Sequence, residues 1–337
     1  MRADAAAGQG AGHVMRCLAI AEAAEERGHD VVFVSAIGPI GWLEKRIQSS
    51  GFHVVSCEPD SLDSSVIASL YPDWVVVDSY EVPAASITEL NEQIPCLVLV
   101  DGDHRDMEAT LYVDPNLDSE DRDWPRAVRA RLLAGARYAI VRREVLAERR
   151  ADPWKFRTIR PRIVAFMGGT DPNGAIVRVA EGLVDEITDA HVVLVTAEQL
   201  LSDVSPVVDR NPNFEVVAAT AALPHLLAQA DIVISAAGTS AWDLCSLGVP
   251  SVLVAVVDNQ VAGLEAALAH GLAVGFDAHR DVQMIVGQVA SELQQLLHDE
   301  SLRKSMSDRS LATFDGMGTN RIVTAMEKTC GFPDRHD

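Results

Sequence analysis

A glycine-rich turn followed by a histidine lies near the start of the chain, in the segment RADAAAGQGAGHVMRC. Gly10 and Gly12 are separated by one residue, a spacing that lets the backbone turn tightly and approach a ligand. A helix is predicted to begin there, with His13 in its first turn. Because a helix N-terminus disfavours imidazolium, we expect a neutral His13 that can act as a general base. A helix-terminal histidine without a chemical role would give the same pattern.

Charged residues surround this turn, and each has two interpretations. Asp4 could orient His13 or only cap the turn, and we place it with His13 in the candidate catalytic group. Arg2 and Arg16 could neutralise a phosphate or pair with Asp4.

A second turn of small residues follows a hydrophobic run in the segment ISAAGTSAWDLC. Gly238, Thr239 and Ser240 stand where a strand is predicted to end and a helix to begin. Hydroxyls and backbone amides at such a position suit a diphosphate. Asp243, one turn into the helix, could accept hydrogen bonds from two ribose hydroxyls. An ordinary Ser/Thr N-cap with an acidic first turn is the alternative.

Two more strand ends in the second half carry candidate binding residues. Asn259 and Gln260 follow the hydrophobic run 251–256 and are well placed to hydrogen-bond a sugar, while the adjacent Asp258 could do so or only cap a helix. Gly168–Gly169, in FMGGTD, would face the same ligand, because the carboxyl ends of parallel strands share one edge of a sheet.

Two loops of the first half also carry polar side chains. Tyr80 ends the segment VVVDSY and could line a sugar pocket or only pack. The segment DGDH at 101–104 could suggest a metal site, but a loop that solvates its carboxylates explains it as well. We therefore predict neither a metal nor a cofactor.

Short β-branched runs alternate with longer amphipathic stretches, which predicts an α/β fold with doubly wound parallel sheets and right-handed crossovers. Strands are predicted at 31–35, 53–56, 74–78, 96–101, 110–113, 162–167, 191–195, 214–217, 231–235, 251–256 and 273–276. Helices are predicted at 13–27, 175–186, 241–247, 260–269 and 320–329.

The length of 337 residues favours two domains. A segment with two prolines at 151–161 separates a predicted Rossmann-like domain, 1–155, which carries His13, from a second, 156–337, which binds the nucleotide. We expect the two domains to face a central cleft and the last helix to cross back to the first domain. The glycine-rich turn follows Met1 and Arg2 almost directly, so the usual first strand is expected to be absent, or else truncated.

Composition excludes several classes of partner. The formal charge of −21, with 28 Lys and Arg against 49 Asp and Glu, repels nucleic acid and anionic membranes. No apolar run reaches the ~18 residues that a membrane span requires. Five scattered cysteines without metal-ligand spacing are typical of a reducing compartment, so a cytoplasmic protein is expected.

Six blocks of sequence together resemble a known family. They are RAD with GHVMRC, VVDSY, LLAGARYAIVRREV, MGGTDPNG, ISAAGTSAWDLCSLGVPSVLV and DNQ, in that order. Their order and spacing resemble the pseudaminic-acid-pathway UDP-sugar hydrolases, which are relatives of MurG-type glycosyltransferases with a GT-B fold. The resemblance covers about residues 2–275.

This resemblance implies a specific reaction. Members of the family remove UDP from a 2,4-diacetamido-2,4,6-trideoxy sugar nucleotide (the β-L-altropyranose) by metal-independent attack of water at the anomeric carbon, with inversion. By position, the resemblance implies that His13 is the general base and that Asn259 and Tyr80 lie near the sugar. It likewise places Gly238, Thr239 and Asp243 at the diphosphate and ribose.

Several positions depart from the family pattern. Asp101-Gly102 replaces two acidic residues, Ala237-Gly238 replaces two glycines, Asp243 replaces a glutamate, and 114–116 replaces an asparagine-rich strand end. These positions shape the sugar pocket or lie near it, so the sugar stays open. A glycosyltransferase that uses a UDP- or dTDP-sugar and an acceptor molecule is the first alternative, and a non-catalytic nucleotide-sugar-binding protein is the second.

Overall fold

The computed structural model describes residues 1–5, 11–38, 40–59, 61–149, 155–169, 171 and 173–331. The chain forms two compact units, which we call the N-terminal unit (Met1–Arg143 with Gly316–Asp337) and the C-terminal unit (Glu144–Asp315). The first unit thus ends before the predicted boundary at 155/156. Glu148 and Arg149 belong to the C-terminal unit, where they contact His225 and the carbonyl of Leu311.

The strands of the N-terminal unit run parallel. They are β1 Arg2–Ala3, β2 Val32–Ser35, β3 His53–Ser56, β4 Val75–Asp78, β5 Cys96–Leu99, β6 Leu111–Asp114 and β7 Leu132–Ala134. One sheet has the order β1-β4-β5-β6-β7, and β2 pairs with β3. Hydrogen bonds from Val34 N to Met1 O (2.8 Å) and from Met1 N to Val32 O (2.7 Å) join the two groups beside β1. The expectation that the first strand is absent is therefore wrong: β1 is present, but only two residues long.

The C-terminal unit contains a six-stranded parallel sheet with the order β10-β9-β8-β11-β12-β13. Its strands are β8 Arg162–Phe166, β9 His191–Thr196, β10 Phe214–Ala218, β11 Ile232–Ala236, β12 Ser251–Ala255 and β13 Val274–Asp277. The strand order changes direction between β8 and β11. In open parallel sheets this switch point is where ligands bind, at the carboxyl ends of the strands.

Helices cover the sheets. Those of the N-terminal unit are α1 Gly12–Glu26, α2 Gly41–Ser50, α3 Ser64–Ser69, α4 Ala84–Asn91, α5 Arg126–Arg129 and α14 Gly318–Thr329. The others are α6 Arg143–Ala147, α7 Ala175–Leu183, α8 Leu201–Val208, α9 Leu223–Gln229, α10 Ser240–Leu247, α11 Val261–Ala269, α12 Met284–His298 and α13 Glu300–Thr313. None of the helices in the described part of the chain is long and apolar enough to cross a membrane.

Alternation along the central strands assigns side chains to two cores in the N-terminal unit. Ala3 on β1 and Val76 on β4 pack with α1 and α14, through residues such as Leu18 and Ile322. Val75 and Val77 point to the opposite core. Strands that are buried on both faces read as continuous hydrophobic runs, which is why the sequence located them.

The last helix, α14, packs on α1 within the N-terminal unit. Glu327 accepts hydrogen bonds from Arg27 Nε (3.0 Å) and His29 Nε2 (2.9 Å), and these contacts, Arg27 foremost, lower the pKa of Glu327 to about 2. Gly318 allows the helix to start against the chain, because a Cβ there would lie 2.0 Å from the carbonyl oxygen of Ala139. The predicted α/β fold with doubly wound parallel sheets is confirmed.

Candidate functional site

His13 lies in the first turn of α1, with its side chain 19% exposed. Its Nδ1 is 2.6 Å from Oδ1 of Asp78, the buried last residue of β4. A carboxylate only accepts hydrogen bonds, so Nδ1 donates a proton to Asp78, and in the neutral imidazole Nε2 then keeps its lone pair. Nε2 has no hydrogen-bond partner within the described part of the chain. This is the tautomer that a general base requires.

Arg16, one turn further along α1, joins two carboxylates. Its Nε and Nη2 donate to Asp78 at 2.8 Å each, and its Nη1 and Nη2 donate to Asp101 at 2.9 and 3.1 Å. Burial alone would raise the pKa of Asp78, but Arg16 and His13 outweigh it and lower that pKa. Likewise, burial opposes ionisation of Asp101, but Arg16 holds the pKa of Asp101 well below its usual value. Both carboxyls are therefore charged at neutral pH.

Tyr80 closes the other side of His13. The two rings meet edge to face with centroids 4.8 Å apart, and the Tyr80 hydroxyl donates to Oδ2 of Asp101. Burial and then the Asp101 carboxylate raise the pKa of Tyr80, so the phenol keeps its proton. Asn116 Nδ2 donates to both Asp101 (2.9 Å) and Asp114 (2.8 Å), which extends the network to the end of β6.

Asp4 does not take the role predicted for it. It accepts from the buried Arg2 and from the backbone N–H of Ala36 (2.8 Å), while Arg2 also donates to backbone carbonyls, including that of Pro59 at 2.7 Å. The reason is strand alternation: Arg2 and Asp4 point away from α1, whereas Ala3 points towards it. The residue that orients His13 is Asp78.

In the C-terminal unit, the predicted glycines follow the two strands at the switch point. Gly168 follows β8 with φ +87°, a conformation that favours glycine, and Gly169 is exposed beside it. Gly238 follows β11, and a Cβ there would lie 3.5 Å from Gln260 Nε2. The structure thus brings three of the predicted segments to one sheet edge. Gly10, in the N-terminal turn, lies outside the described residues.

The start of α10 differs from an ordinary cap. Thr239 occupies the N-cap position, but it has helical backbone angles and its side chain makes no capping hydrogen bond. Thr239 is exposed and Ser240 half-buried. Asp243, predicted to bind a ribose, is buried in the first turn and only 4% exposed. Trp242, which precedes Asp243 in the sequence, stacks on Phe314 with ring centroids 5.1 Å apart.

The segment 258–260 forms a short 3-10 turn after β12. Gln260 Oε1 accepts from the backbone N–H of Val256 at 2.9 Å, which fixes the turn against the strand end. Asn259 is exposed. Asp258 caps no helix; its exposed carboxylate lies 3.1 Å from His279 Nε2.

Sequence reasoning missed three parts of the N-terminal network: the orienting role of Asp78, the bridging role of Arg16 and the participation of Asn116. The signal for Asp78 was present, because it shares the parity of Val76 along a strand whose alternate residues face α1. Arg16 and Asn116 gave no comparable signal, since the shared partner Asp101 lies 85 residues from Arg16 and 15 from Asn116.

Comparisons with known proteins cover the two halves unequally. Residues 163–315 match the model of the glycosyltransferase family 28 C-terminal domain. The spore coat polysaccharide biosynthesis protein SpsG of Bacillus subtilis is 22% identical over 235 residues, or 68% of this chain and 64% of that protein. An uncharacterized Methanocaldococcus jannaschii protein, MJ1062, is 21% identical over 74% of this chain and 54% of its own length. The chain thus spans less than two thirds of each of these relatives.

Solved structures match almost the whole chain. Acinetobacter baumannii MurG superposes with a TM-score of 0.64 at 16% identity, over 97% of this chain and 98% of MurG. The UDP co-structure of S. aureus MnaA gives 0.69 at 14% identity, over 97% and 96%. The calicheamicin glycosyltransferase CalG4 gives 0.65 at 17% identity, over 98% and 97%.

This chain has the GT-B fold. At such low identities these similarities establish the GT-B fold alone.

Proposed function

We propose that this protein is an inverting nucleotide-sugar enzyme that releases UDP from an activated amino or deoxy sugar by attack of water at the anomeric carbon. The observation that carries the proposal is the 2.6 Å hydrogen bond between His13 Nδ1 and Asp78, which leaves Nε2 as a base. A neutral imidazole held in this tautomer can deprotonate water as it attacks. Asp78 would then stabilise the imidazolium that forms.

We propose that the C-terminal unit holds the nucleotide. The glycines at the switch point, 168–169 and 238, let the backbone approach a diphosphate, and no side chain caps the start of α10, whose positive dipole end would face it. These groups would stabilise charge on the departing UDP. Because Asp243 is buried, we propose that Thr239 and Ser240 supply hydroxyl contacts to the nucleotide, with Asp243 positioning the helix start.

In the N-terminal unit we propose Tyr80, beside the base, as a sugar contact; in the C-terminal unit we propose Asn259 and Gln260 as ligand contacts. Asn259 is exposed and can turn to a sugar, whereas Gln260 is already tied by its oxygen to Val256 and presents its amide nitrogen near Gly238. The order of the motifs along the chain, which resembles the UDP-sugar hydrolases, favours a deoxy amino sugar.

A glycosyltransferase is the second candidate. It is favoured by the match of residues 163–315 to a glycosyltransferase family 28 domain. In that reaction His13 would deprotonate an acceptor hydroxyl instead of water, and the rest of the chemistry would be the same.

Incubation of the protein with UDP-, dTDP- and GDP-sugars in buffer alone tests the proposal. Nucleotide release is measured by chromatography, and the anomer of the free sugar by NMR at early times. We expect UDP and an inverted sugar, with ¹⁸O from labelled water at the anomeric carbon. UDP-sugar binding without release would overturn hydrolysis and favour transfer.

A His13→Ala variant tests the base in the same assay. Turnover should fall by roughly 10²- to 10⁴-fold while UDP affinity is kept. His298→Ala, at an exposed histidine at the end of α12, is the control and should retain full turnover. Full turnover by His13→Ala would show that the proposed mechanism is wrong.

A further inference from the structure

The buried network beside His13 contains an unequal number of charges. Asp78 and Asp101 each carry a negative charge, and the single Arg16 guanidinium between them carries one positive charge. One negative charge is therefore left uncompensated. If His13 accepts a proton, the four side chains together become neutral. A proton on His13 is thus stabilised by the net negative charge of the whole group, and not by its direct partner Asp78 alone.

Asp101 has little capacity left for a substrate. Its Oδ1 accepts from Arg16 and Asn116, and its Oδ2 accepts from Arg16 and Tyr80. Its four contacts all come from donors of the same unit, and its side chain is 25% exposed. This arrangement indicates a residue that acts through its neighbours.

We propose that Asp101 is a positioning residue that raises the proton affinity of His13 through the Arg16 guanidinium that it shares with Asp78. The proposal rests on the proposed role of His13 as the base. With Asp101 present, Arg16 pairs with two carboxylates instead of one. Its positive charge therefore offsets less of the attraction between the Asp78 carboxylate and a proton on His13. Asp101 also holds Tyr80 against the edge of the imidazole.

Other charged groups around His13 do not supply this effect. Directly after β1, Asp4 is paired with Arg2 and points away from α1. On β6, Asp114 reaches the network only through Asn116, and burial raises its pKa. From α1 itself only Arg16 contacts the ring, with Nη2 3.3 Å from Nδ1, and from the loop after β4 the neutral Tyr80 packs on it.

Asp101→Asn tests the proposal, because it removes the charge with little change in shape. The titration of His13 is followed by two-dimensional NMR of the imidazole protons, and its signal is assigned by comparison with His13→Ala. We expect the titration midpoint of His13 to move to lower pH by about one unit. The rising limb of kcat/KM against pH should move with it, and the plateau should fall severalfold because the base is weaker.

Two further variants separate charge from structure. Asp106→Asn makes the same change in net charge at a fully exposed carboxylate in the same loop, where φ +54° suits asparagine, and should leave the midpoint unchanged. Asp101→Glu keeps the charge and should keep the midpoint near that of the parent protein.

A midpoint that stays unchanged in Asp101→Asn would overturn the proposal, as would an equal shift in Asp106→Asn. The NMR measurement requires no turnover, so it also separates the two proposals. If His13→Ala retains full activity, the proposed function fails, whereas the dependence of the His13 titration on Asp101 is still decided by NMR.

Discussion

The two units place their candidate binding groups at the same kind of position, the carboxyl ends of parallel strands, but they use different chemistry there. In the N-terminal unit, charged side chains from β4, the segment after β5 and α1 meet around His13, and a guanidinium joins two carboxylates. In the C-terminal unit, the switch point carries glycines, hydroxyls and the start of α10, which no side chain caps. Charged side chains can move protons, whereas backbone amides hold an anion without exchanging protons with it.

The carboxyls of the two regions differ accordingly. Asp78 has a lowered pKa, because Arg16 and His13 outweigh its burial. Asp171, in the loop after β8, has a raised pKa, because burial outweighs the hydrogen bonds that it accepts from the N–H groups of Ala175 and Ile176 at the start of α7. One carboxyl orients a histidine, and the other caps a helix.

Among the variants that test this difference between the two units, Asp78→Asn should have the largest effect, and the effect should be on kcat. The amide can donate to His13 Nδ1 and so favour the tautomer that is protonated at Nε2, which cannot act as a base. We expect kcat to fall by roughly 10²- to 10⁴-fold, with UDP affinity unchanged by calorimetry. Asp73→Asn, at an exposed position before β4, is the control for net charge. A kcat within about threefold of the parent value would contradict the role of Asp78.

Gly238→Ala should lower nucleotide affinity in the C-terminal unit and leave the His13 network of the N-terminal unit intact. The added methyl would lie 3.5 Å from Gln260 Nε2, an ordinary contact, so the fold should hold. It would stand at the start of α10, where a phosphate has to approach the backbone, and we expect UDP affinity to fall about tenfold, or ~1.4 kcal/mol. Saturated kcat should change little.

Gly263→Ala is the matched control for that measurement. Its Cβ would lie 3.8 Å from the ring of Trp242, so it has similar room on the neighbouring helix α11, and it should leave UDP affinity unchanged. Equal affinities for UDP in Gly238→Ala and the parent protein would argue against phosphate binding at α10.

Thr239→Val should have a smaller effect on the same region. It removes one exposed hydroxyl that caps nothing in the protein, so the free energy of unfolding should stay nearly constant. The loss of one hydrogen bond to the nucleotide is worth ~1 kcal/mol, and UDP affinity should fall roughly fivefold. A loss of stability with unchanged affinity would show that Thr239 serves α10 alone.

Lowering the pH should produce the smallest effect. It should lower the stability that the carboxyls contribute in the N-terminal unit and raise it at Asp171 in the C-terminal unit. A carboxyl whose pKa is lowered on folding contributes stability above its unfolded value near 3.9, and this contribution is lost as pH falls through the lower folded value. Asp78 and Asp101 belong to this class, whereas Asp171 disfavours the folded state when charged and is relieved by protonation.

Hydrogen exchange followed by mass spectrometry between about pH 5 and 1 can measure this difference. Amide protection in α1 and β4 should decline at a higher pH than protection in α7 and β8. Earlier loss of protection at α7 would show that the charge network does not stabilise the N-terminal unit.

Much of the fold could be predicted because its strands are continuous hydrophobic runs. The predicted strand at 53–56 agrees with β3, and others differ at their ends by a residue or two. The strands β1 and β7 were not predicted, since two or three residues carry no periodic signal. The glycine spacing predicts the position of His13 at the start of α1, but it leaves open whether Asp4 orients His13 or only caps the turn, and Nδ1 in fact donates its hydrogen bond to Asp78.

The sequence by itself determined the alternation of strands and helices, and hence the parallel sheets and the edge at which polar residues collect. Local hydrophobicity and turn residues suffice for that, because they act over neighbouring positions. Only the tertiary structure decided which charges meet. Asp78, Asp101 and Arg16 are separated by tens of residues, and their contacts follow from the placement of β4 and β5 beneath α1 and from the face to which each strand residue points.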